Sequence, residues 1–135
     1  MARRLLLTRQ VMTPLHILVI DDSLELAECF ARVLEESGHR AGFVINPLDA
    51  LDAAEGMHAE VVFIDIDMPG IDGWELAHLF RRRFGPAVRL VAVTGVDRPP
   101  PGRVSYARFD AYLVKPVSLE RLLDAAGRSA ATITV

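Results

Sequence analysis

The most constraining feature of the sequence is a set of short, almost wholly apolar runs, each followed at once by a polar or charged residue. These runs are residues 15–20 before Asp21-Asp22, residues 61–64 before Asp65, residues 88–93 before Thr94, and residues 111–114 before Lys115. Apolar runs of this length are typical of strands that are buried on both faces of a sheet. The chain is therefore expected to fold around a sheet that is covered on both sides.

A helical pattern follows the first of these runs. Ser23 is a suitable N-cap, and Leu26, Cys29, Phe30 and Val33 then recur at the spacing of one helix face. This pattern predicts a first helix whose inner face includes Cys29.

The same unit recurs along the chain. A strand is predicted over residues 41–45, a helix from Asn46-Pro47 to about residue 55, and later helices capped by Asp72 and Ser118. Five strands that alternate with helices predict an α/β fold with a parallel sheet and helices on both faces. In open sheets of this kind, ligands bind at the carboxyl ends of the strands.

Composition favours a single globular domain. The chain has 135 residues, of which 51% are hydrophobic and 24% charged, and its net charge of −3 includes no acidic or basic block. Nothing in this balance suggests a nucleic-acid partner, and no apolar run approaches the ~20 residues of a membrane helix. Cys29 has no second cysteine to pair with, so a reducing, cytoplasmic location is expected.

The two ends of the chain are set apart from this domain. Residues 1–14 are predicted to form a flexible N-terminal extension or a short extra helix, residues 15–130 the folded domain, and residues 131–135 a C-terminal tail. Three leucines after Arg3-Arg4 are too few for a secretion signal, whose apolar core needs about 7–15 residues.

Chemically active residues stand at the carboxyl ends of the predicted strands. Because these ends share one edge of a parallel sheet, Asp21, Asp22, Asp65, Thr94 and Lys115 are expected to converge. Two carboxylates about 4 Å apart repel by roughly 4 kcal/mol at an effective dielectric constant near 20. Such a cluster either raises a pKa or binds a cation, and oxygen ligands favour Mg²⁺ or Ca²⁺.

The remaining groups suit phosphoryl chemistry. A carboxylate that the cation leaves free can act as a nucleophile, and Lys115 and Thr94 can hold phosphoryl oxygens. Lys115 is the only lysine beside fourteen arginines, and its compact ammonium group is not interchangeable with a guanidinium group.

Each residue also has a structural interpretation. Asp21 and Asp22 could cap the first helix, Thr94 is a common strand residue, and Tyr112 could be a half-buried strand aromatic. Asp65 has no cap to make at the end of an apolar strand, which favours a functional role.

Five motifs of this sequence, in their order and positions along the chain, resemble those of the response-regulator receiver family over about residues 15–127. The motifs are Asp21-Asp22, Asp65 within V-V-F-I-D-I-D-M-P-G-I-D-G, Thr94-Gly95, Tyr112 and Lys115-Pro116. The resemblance implies a flavodoxin-like, doubly wound sheet of five strands in the order 2-1-3-4-5, with five helices. It also implies a role in two-component or phosphorelay signalling.

The resemblance assigns a phosphoacceptor and a metal site. Asp65 would take a phosphoryl group from a phosphohistidine on a sensor histidine kinase or histidine phosphotransfer protein. Mg²⁺ would be held by Asp22 directly, by Asp21 through water, by Asp65 and by the backbone carbonyl of Asp67. The protein would act on no other substrate, catalysing only its own phosphorylation and dephosphorylation.

The resemblance also assigns a conformational switch. Lys115 would pair with Asp65 and then with a phosphoryl oxygen, and its bond to Pro116 would be cis. Thr94 would move its hydroxyl toward the phosphoryl group, and Tyr112 would swing inward and alter the surface that a downstream protein partner reads. Neither a nucleic acid nor a membrane is expected as a direct partner.

One segment departs from the family pattern. Three prolines at residues 99–101 cannot lie inside a helix, so the fourth helix is predicted to be shortened, with only residues 103–109 available to it. No output domain is expected, which would make the chain a single-domain regulator, a relay shuttle or a receiver from a larger kinase.

Two other functions stay open from the sequence. A Mg²⁺-dependent phosphatase with an aspartyl nucleophile would use Asp67 as its second acid, although 135 residues leave little room for a substrate pocket. A degenerate receiver would only bind partners, although the complete set of acidic residues argues against it.

Overall fold

The computed structural model describes residues 8–12, 14–95, 109–127 and 130–134. The short helix predicted over residues 103–109 and the three prolines before it lie outside the described residues, apart from Phe109, which belongs to no helix.

The main sheet has five parallel strands. They are β2 (His16–Ile20), β3 (Arg40–Val44), β4 (Val61–Asp65), β5 (Arg89–Thr94) and β6 (Ala111–Val114). Their spatial order is β3-β2-β4-β5-β6, which is 2-1-3-4-5 when the strands of this sheet are counted along the chain. The predicted fold class and strand order are confirmed.

The described residues contain four α-helices. They are α1 (Leu24–Glu36), α2 (Ala50–Gly56), α3 (Gly73–Phe84) and α4 (Leu119–Ala125), and short 3₁₀ turns cover Pro47–Asp49 and Gly85–Ala87. Ser23, Asp72 and Ser118 each accept a hydrogen bond from a backbone N–H in the first turn of the helix that follows. These three caps are the ones that the sequence predicts. None of the described helices is both long and apolar enough to cross a membrane.

Two cores lie on opposite faces of the sheet, because side chains alternate along each strand. Ile17 and Val19 of β2 belong to the core that α1 and α4 cover, whereas Leu18 and Ile20 belong to the core that α2 and α3 cover. The strands β4 and β5 are buried along almost their whole length. This construction holds the carboxyl ends of the strands rigidly in place.

The inner face of α1 differs from the prediction. Its buried residues are Ala27, Ala31 and Leu34, whereas Cys29 is exposed, so the prediction that Cys29 lies in the core is wrong. The small alanine side chains let the helix approach the sheet closely. The face that the spacing of the larger residues predicted lies about one residue away from the face that is buried. Leu26 is left 39% exposed at the surface.

A second, two-stranded sheet joins segments from near the two ends of the chain. The strand β1 (Thr8–Met12) pairs antiparallel with β7 (Ala130–Thr134), with Thr8 opposite Thr134 and Met12 opposite Ala130. The sequence predicted an extension and a tail here and no strand. The pairing joins residues far apart in the chain, so local spacing carried no sign of it.

Candidate functional site

The candidate site lies where β2, β4, β5 and β6 end. The register places Ile20 beside Ile64, Asp65 beside Val93, and Thr94 beside Val114. The predicted site residues at the strand ends therefore all lie at the same edge of the sheet.

Three carboxylates meet at this edge. One oxygen atom from each of Asp21, Asp22 and Asp65 lies within 4.8 Å of the others. Asp21 and Asp65 are 2% and 5% exposed, whereas Asp22 is exposed. The cluster thus has a buried base and one side that is open to solvent, through which an ion could enter.

Burial controls the electrostatics of the cluster. Loss of hydration raises the pKa of Asp21, and the negative charge and hydrogen bonding of Asp65 raise it further. The Ser23 N–H, which donates to Asp21 Oδ1 at 2.9 Å, and the Lys115 ammonium group lower this pKa. Burial and the neighbouring Asp65 carboxylate thus both make the charged form of Asp21 less favourable.

Lys115 supplies one positive charge next to Asp65. Its Nζ lies 3.4 Å from Asp65 Oδ2. The backbone N–H of Lys115 donates to the Thr94 carbonyl at 2.7 Å. The end of β5 therefore fixes the position of the lysine backbone. The Lys115–Pro116 peptide bond is cis, as the resemblance implies.

The turn after Asp65 is packed tightly. The Asp67 N–H donates to Asp65 Oδ1 at 3.0 Å, and the Ile66 N–H donates to the Val93 carbonyl at 2.9 Å. Gly73, the first residue of α3, lies so close that a Cβ on it would be 2.9 Å from Ile66 Cα and 3.2 Å from the Asp65 carbonyl. Sequence reasoning missed this role of Gly73. A glycine in the first turn of a predicted helix is a usable signal, because glycine is a poor helix former.

The Asp67 side chain makes a second contact that sequence reasoning missed. Its carboxylate accepts hydrogen bonds from the Gly95 N–H at 2.9 Å and the Thr94 hydroxyl at 3.3 Å. The sequence assigned Asp67 a metal-binding backbone carbonyl and, for a phosphatase, the role of a second acid, and neither role indicated that its side chain reaches the end of β5.

The comparison with protein families agrees with this geometry. Residues 17–127 match the family model described as the response regulator receiver domain. The chain belongs to this family.

Two curated relatives differ in how much of their length matches this chain. The transcriptional regulatory protein TcrA of Mycobacterium tuberculosis is 34% identical over 109 residues, which cover 79% of this chain and 42% of TcrA. Protein PilG of Pseudomonas aeruginosa is 31% identical over 115 residues, which cover 82% of this chain and 84% of PilG. This receiver domain thus spans less than half of the length of TcrA and most of that of PilG.

Solved structures share the fold. A CheY-like response regulator receiver domain protein from Methanospirillum hungatei matches with a TM-score of 0.73 at 25% identity, over 83% of this chain and 90% of that one. The response regulator TrrA of Thermotoga maritima, solved in complex with Mg(2+)-BeF, matches with a TM-score of 0.74 at 27% identity, over 83% and 96% of the two chains.

In this receiver domain, Tyr112 packs against an aromatic cluster. Its ring is stacked on Trp74, with 6.3 Å between centroids and 28° between planes, and Trp74 meets Phe109 edge to face at 5.3 Å. The Tyr112 hydroxyl oxygen is enclosed by protein, and Trp74 is 2% exposed.

An apolar groove opens beside Lys115. Leu26, Phe30, Pro116 and Val117 line it together with the lysine, and its volume is about 450 Å³. Leu26 and Phe30 come from α1, so the helix face that was predicted to be internal is in part the wall of this groove.

Proposed function

We propose that Asp65 is the residue that accepts a phosphoryl group in this receiver domain. The observation that carries the proposal is the position of its buried carboxylate, which lies next to two further carboxylates and to the Lys115 ammonium group. A nucleophilic carboxylate needs cations to balance both its own charge and that of the incoming phosphoryl group.

The donor is proposed to be a phosphohistidine on a sensor histidine kinase or a histidine phosphotransfer protein. One Asp65 oxygen forms a bond to phosphorus while the bond between phosphorus and the imidazole nitrogen breaks, and the nitrogen keeps the electron pair. Lys115 stabilises negative charge on the phosphoryl oxygens, since its Nζ already lies 3.4 Å from Asp65 Oδ2. Thr94 adds a hydroxyl donor from the adjacent strand end.

The acidic cluster fits a magnesium ion. Its donors are all carboxylate oxygens, which Mg²⁺ prefers, and the open side at Asp22 leaves room for water or phosphoryl oxygens. Asp21, Asp22, Asp65 and the Asp67 backbone carbonyl would hold the ion. When bound, it supplies positive charge that offsets the repulsion between carboxylates and phosphoryl oxygens. The Mg(2+)-BeF complex of the related TrrA supports this choice of metal.

The output is proposed to be a change of surface that a downstream protein recognises. Receiver domains as a class interact with histidine kinases and downstream effectors. In this chain, Thr94 would move toward the phosphoryl group, and Tyr112 would change its packing on Trp74. A cytoplasmic location and the absence of reactions beyond self-phosphorylation and dephosphorylation complete the proposal.

Acetyl phosphate with Mg²⁺ tests the phosphoacceptor directly. Intact-mass spectrometry is expected to show one phosphoryl adduct that hydroxylamine removes, since an aspartyl phosphate is an acyl phosphate. Asp65→Asn is expected to abolish the adduct. Asp52→Asn is the matched control, because Asp52 lies in α2 with a side chain that is 87% exposed, and it should be labelled like the wild type.

The other functions predict different results in the same assay. Sustained hydrolysis of a phosphoester such as p-nitrophenyl phosphate, lost in Asp65→Asn, would favour a phosphatase and contradict the proposal. An unlabelled wild type, or an adduct that survives in Asp65→Asn, would also contradict it.

A further inference from the structure

The outer side of β3, which faces away from β2, is open in the part of the chain that the structure describes. There β3 pairs with β2 alone. The Arg40 N–H donates to the carbonyl of Leu15, just before β2, at 2.9 Å. Because successive residues of a strand turn their backbone polar groups to opposite sides, those of Ala41 and Phe43 lie on the outer side. A strand with such an open side can accept a further strand.

A groove of about 290 Å³ lies beside the outer side of β3, between this strand and α1. Its lining includes three small residues, Ala31, Ala41 and Gly42, and the larger Phe43. Phe43 is 37% exposed, although phenylalanine is among the residues most often buried. The surface therefore offers both an apolar side chain and a space that such a side chain could fill. These are the features of a surface that is complementary to a second copy of itself.

Charged residues of α1 line the same groove. They are Glu28, Arg32 and Glu35, all exposed, and none of them forms an ion pair within the described residues. The arginine lies between the two glutamates along the helix. In a second copy related by a two-fold axis, α1 runs in the opposite direction, so Arg32 of each copy can pair with a glutamate of the other. The charges of the groove are therefore complementary to themselves.

We propose that the outer side of β3 is a homodimer interface, at which β3 of a second copy pairs antiparallel about a two-fold axis at Gly42. Ala41 of each copy then lies opposite Phe43 of the other, and both residues turn their backbone polar groups to the interface, so the two pairs can exchange hydrogen bonds. Each Phe43 side chain faces the small residues of the other copy. A second copy is the favoured occupant because the shape and the charge of the groove both match it.

The arrangement leaves the candidate sites free. The strands of the two copies run in opposite directions across the interface, so the carboxyl ends of their strands lie at opposite ends of the joined sheet. The inference does not depend on the proposed role of Asp65, and it stands if acetyl phosphate fails to label that residue.

Sedimentation velocity of the full chain tests self-association. From about 10 µM to about 1 mM, the range of weak and transient interfaces, the average mass should rise toward that of a dimer. Phe43→Ala should raise the dissociation constant about tenfold, as for a central apolar residue of an interface. Leu119→Ala is the matched control, because Leu119 is 47% exposed on α4, and it should dimerise like the wild type. A wild type that stays monomeric, or equal constants for Phe43→Ala and the wild type, would overturn the inference.

Charge reversal tests the pairing without touching the apolar residues. Arg32→Glu makes the groove wholly acidic, and Glu28→Arg with Glu35→Arg makes it wholly basic, so each variant should dimerise more weakly than the wild type. A mixture of the two should form dimers again. Circular dichroism checks that both are folded, and Arg121→Glu, at an exposed position of α4, controls for the change in net charge. A mixture that stays monomeric would contradict the proposal.

Hydrogen exchange locates the interface at single amides. The Ala41 and Phe43 amides should exchange more slowly at the concentration where the dimer forms than in dilute solution, because only there do they gain acceptors. The Gly42 amide lies on the side of β2 and should exchange at the same rate in both. Dimers that form without slowing exchange at Ala41 and Phe43 would use another surface, and the inference would be wrong.

Discussion

Gly73 shows how closely single residues are fitted around the proposed phosphoacceptor. A Cβ at this position would lie 2.9 Å from the Ile66 backbone, which cannot move aside as a flexible side chain could. Gly73→Ala is therefore expected to lower the free energy of unfolding by about 1–3 kcal/mol, the usual effect of overpacking, although alanine is the better helix former. Urea denaturation followed by circular dichroism measures the change.

Gly56 offers the matched control for this substitution. It is the last residue of α2, and a Cβ there would meet nothing within 4 Å. Gly56→Ala is expected to leave stability unchanged or to raise it by up to about 1 kcal/mol. If the two variants unfold at the same urea concentration, the close packing at Gly73 does not limit stability.

At the residue scale, the sequence predicted the positions of the site well but not its contacts. Asp21, Asp22, Asp65, Thr94 and Lys115 could be placed together because each follows a buried strand, and strand ends converge. The direction in which the Asp67 side chain points depends on the shape of the turn between β4 and α3, which spacing does not reveal. For the same reason the stacking of Tyr112 on Trp74 could not be predicted.

At the scale of helices and strands, an ion pair connects the last turn of α3 to the residue that precedes β6. Arg81 Nη2 lies 2.7 Å from Asp110 Oδ2, and that oxygen also accepts from the buried Leu90 N–H at 2.8 Å. Asp110→Ala would leave the Leu90 N–H without this acceptor, so the free energy of unfolding should fall by about 1–3 kcal/mol. Asp110→Asn keeps an acceptor oxygen, so its free energy of unfolding should fall by less than that of Asp110→Ala. Thermal and urea unfolding both measure the effect.

The ion pair between Arg83 and Asp52 is the comparison for this prediction. It is longer, at 3.4 Å, and Asp52 is largely exposed, so solvent screens it. Asp52→Ala is expected to unfold at the same urea concentration as the wild type within error. A loss as large as that of Asp110→Ala would show that exposed pairs matter equally here.

Helix positions were easier to predict than helix faces. Capping residues mark where α1, α3 and α4 begin, since they act on the first turn and need no knowledge of tertiary structure. The inward face depends on how close a helix can come to the sheet. In α3, the large side chain of Leu79 is 38% exposed, whereas the small Ala77 is fully buried.

For the whole molecule, the alternation of strands and helices was enough to predict a parallel sheet with two covered faces. The order of its strands came from the family resemblance, and the structure confirms it. The β1–β7 pair could not be predicted, since its two segments lie far apart in the chain and nothing in the local pattern joins them.

The two sheets are expected to differ in their resistance to opening. Strand β4 has neighbours on both sides and is fully buried, so its amides should exchange with solvent only by global unfolding. Two-stranded sheets are marginally stable, and amides of residues 8–12 and 130–134 should exchange much faster. Hydrogen exchange followed by mass spectrometry measures both. Equal rates would mean that the two sheets open as one cooperative unit.

The single lysine has a practical consequence for chemical labelling. Apart from any terminal α-amino group, Lys115 carries the one amine of a 135-residue chain, and its side chain is 28% exposed beside Asp65. An acylating reagent would therefore modify the protein at a single internal position, and that position is the one that an anion in the pocket would shield. The fraction of chains left unmodified then becomes a measure of pocket occupancy that needs no engineered probe.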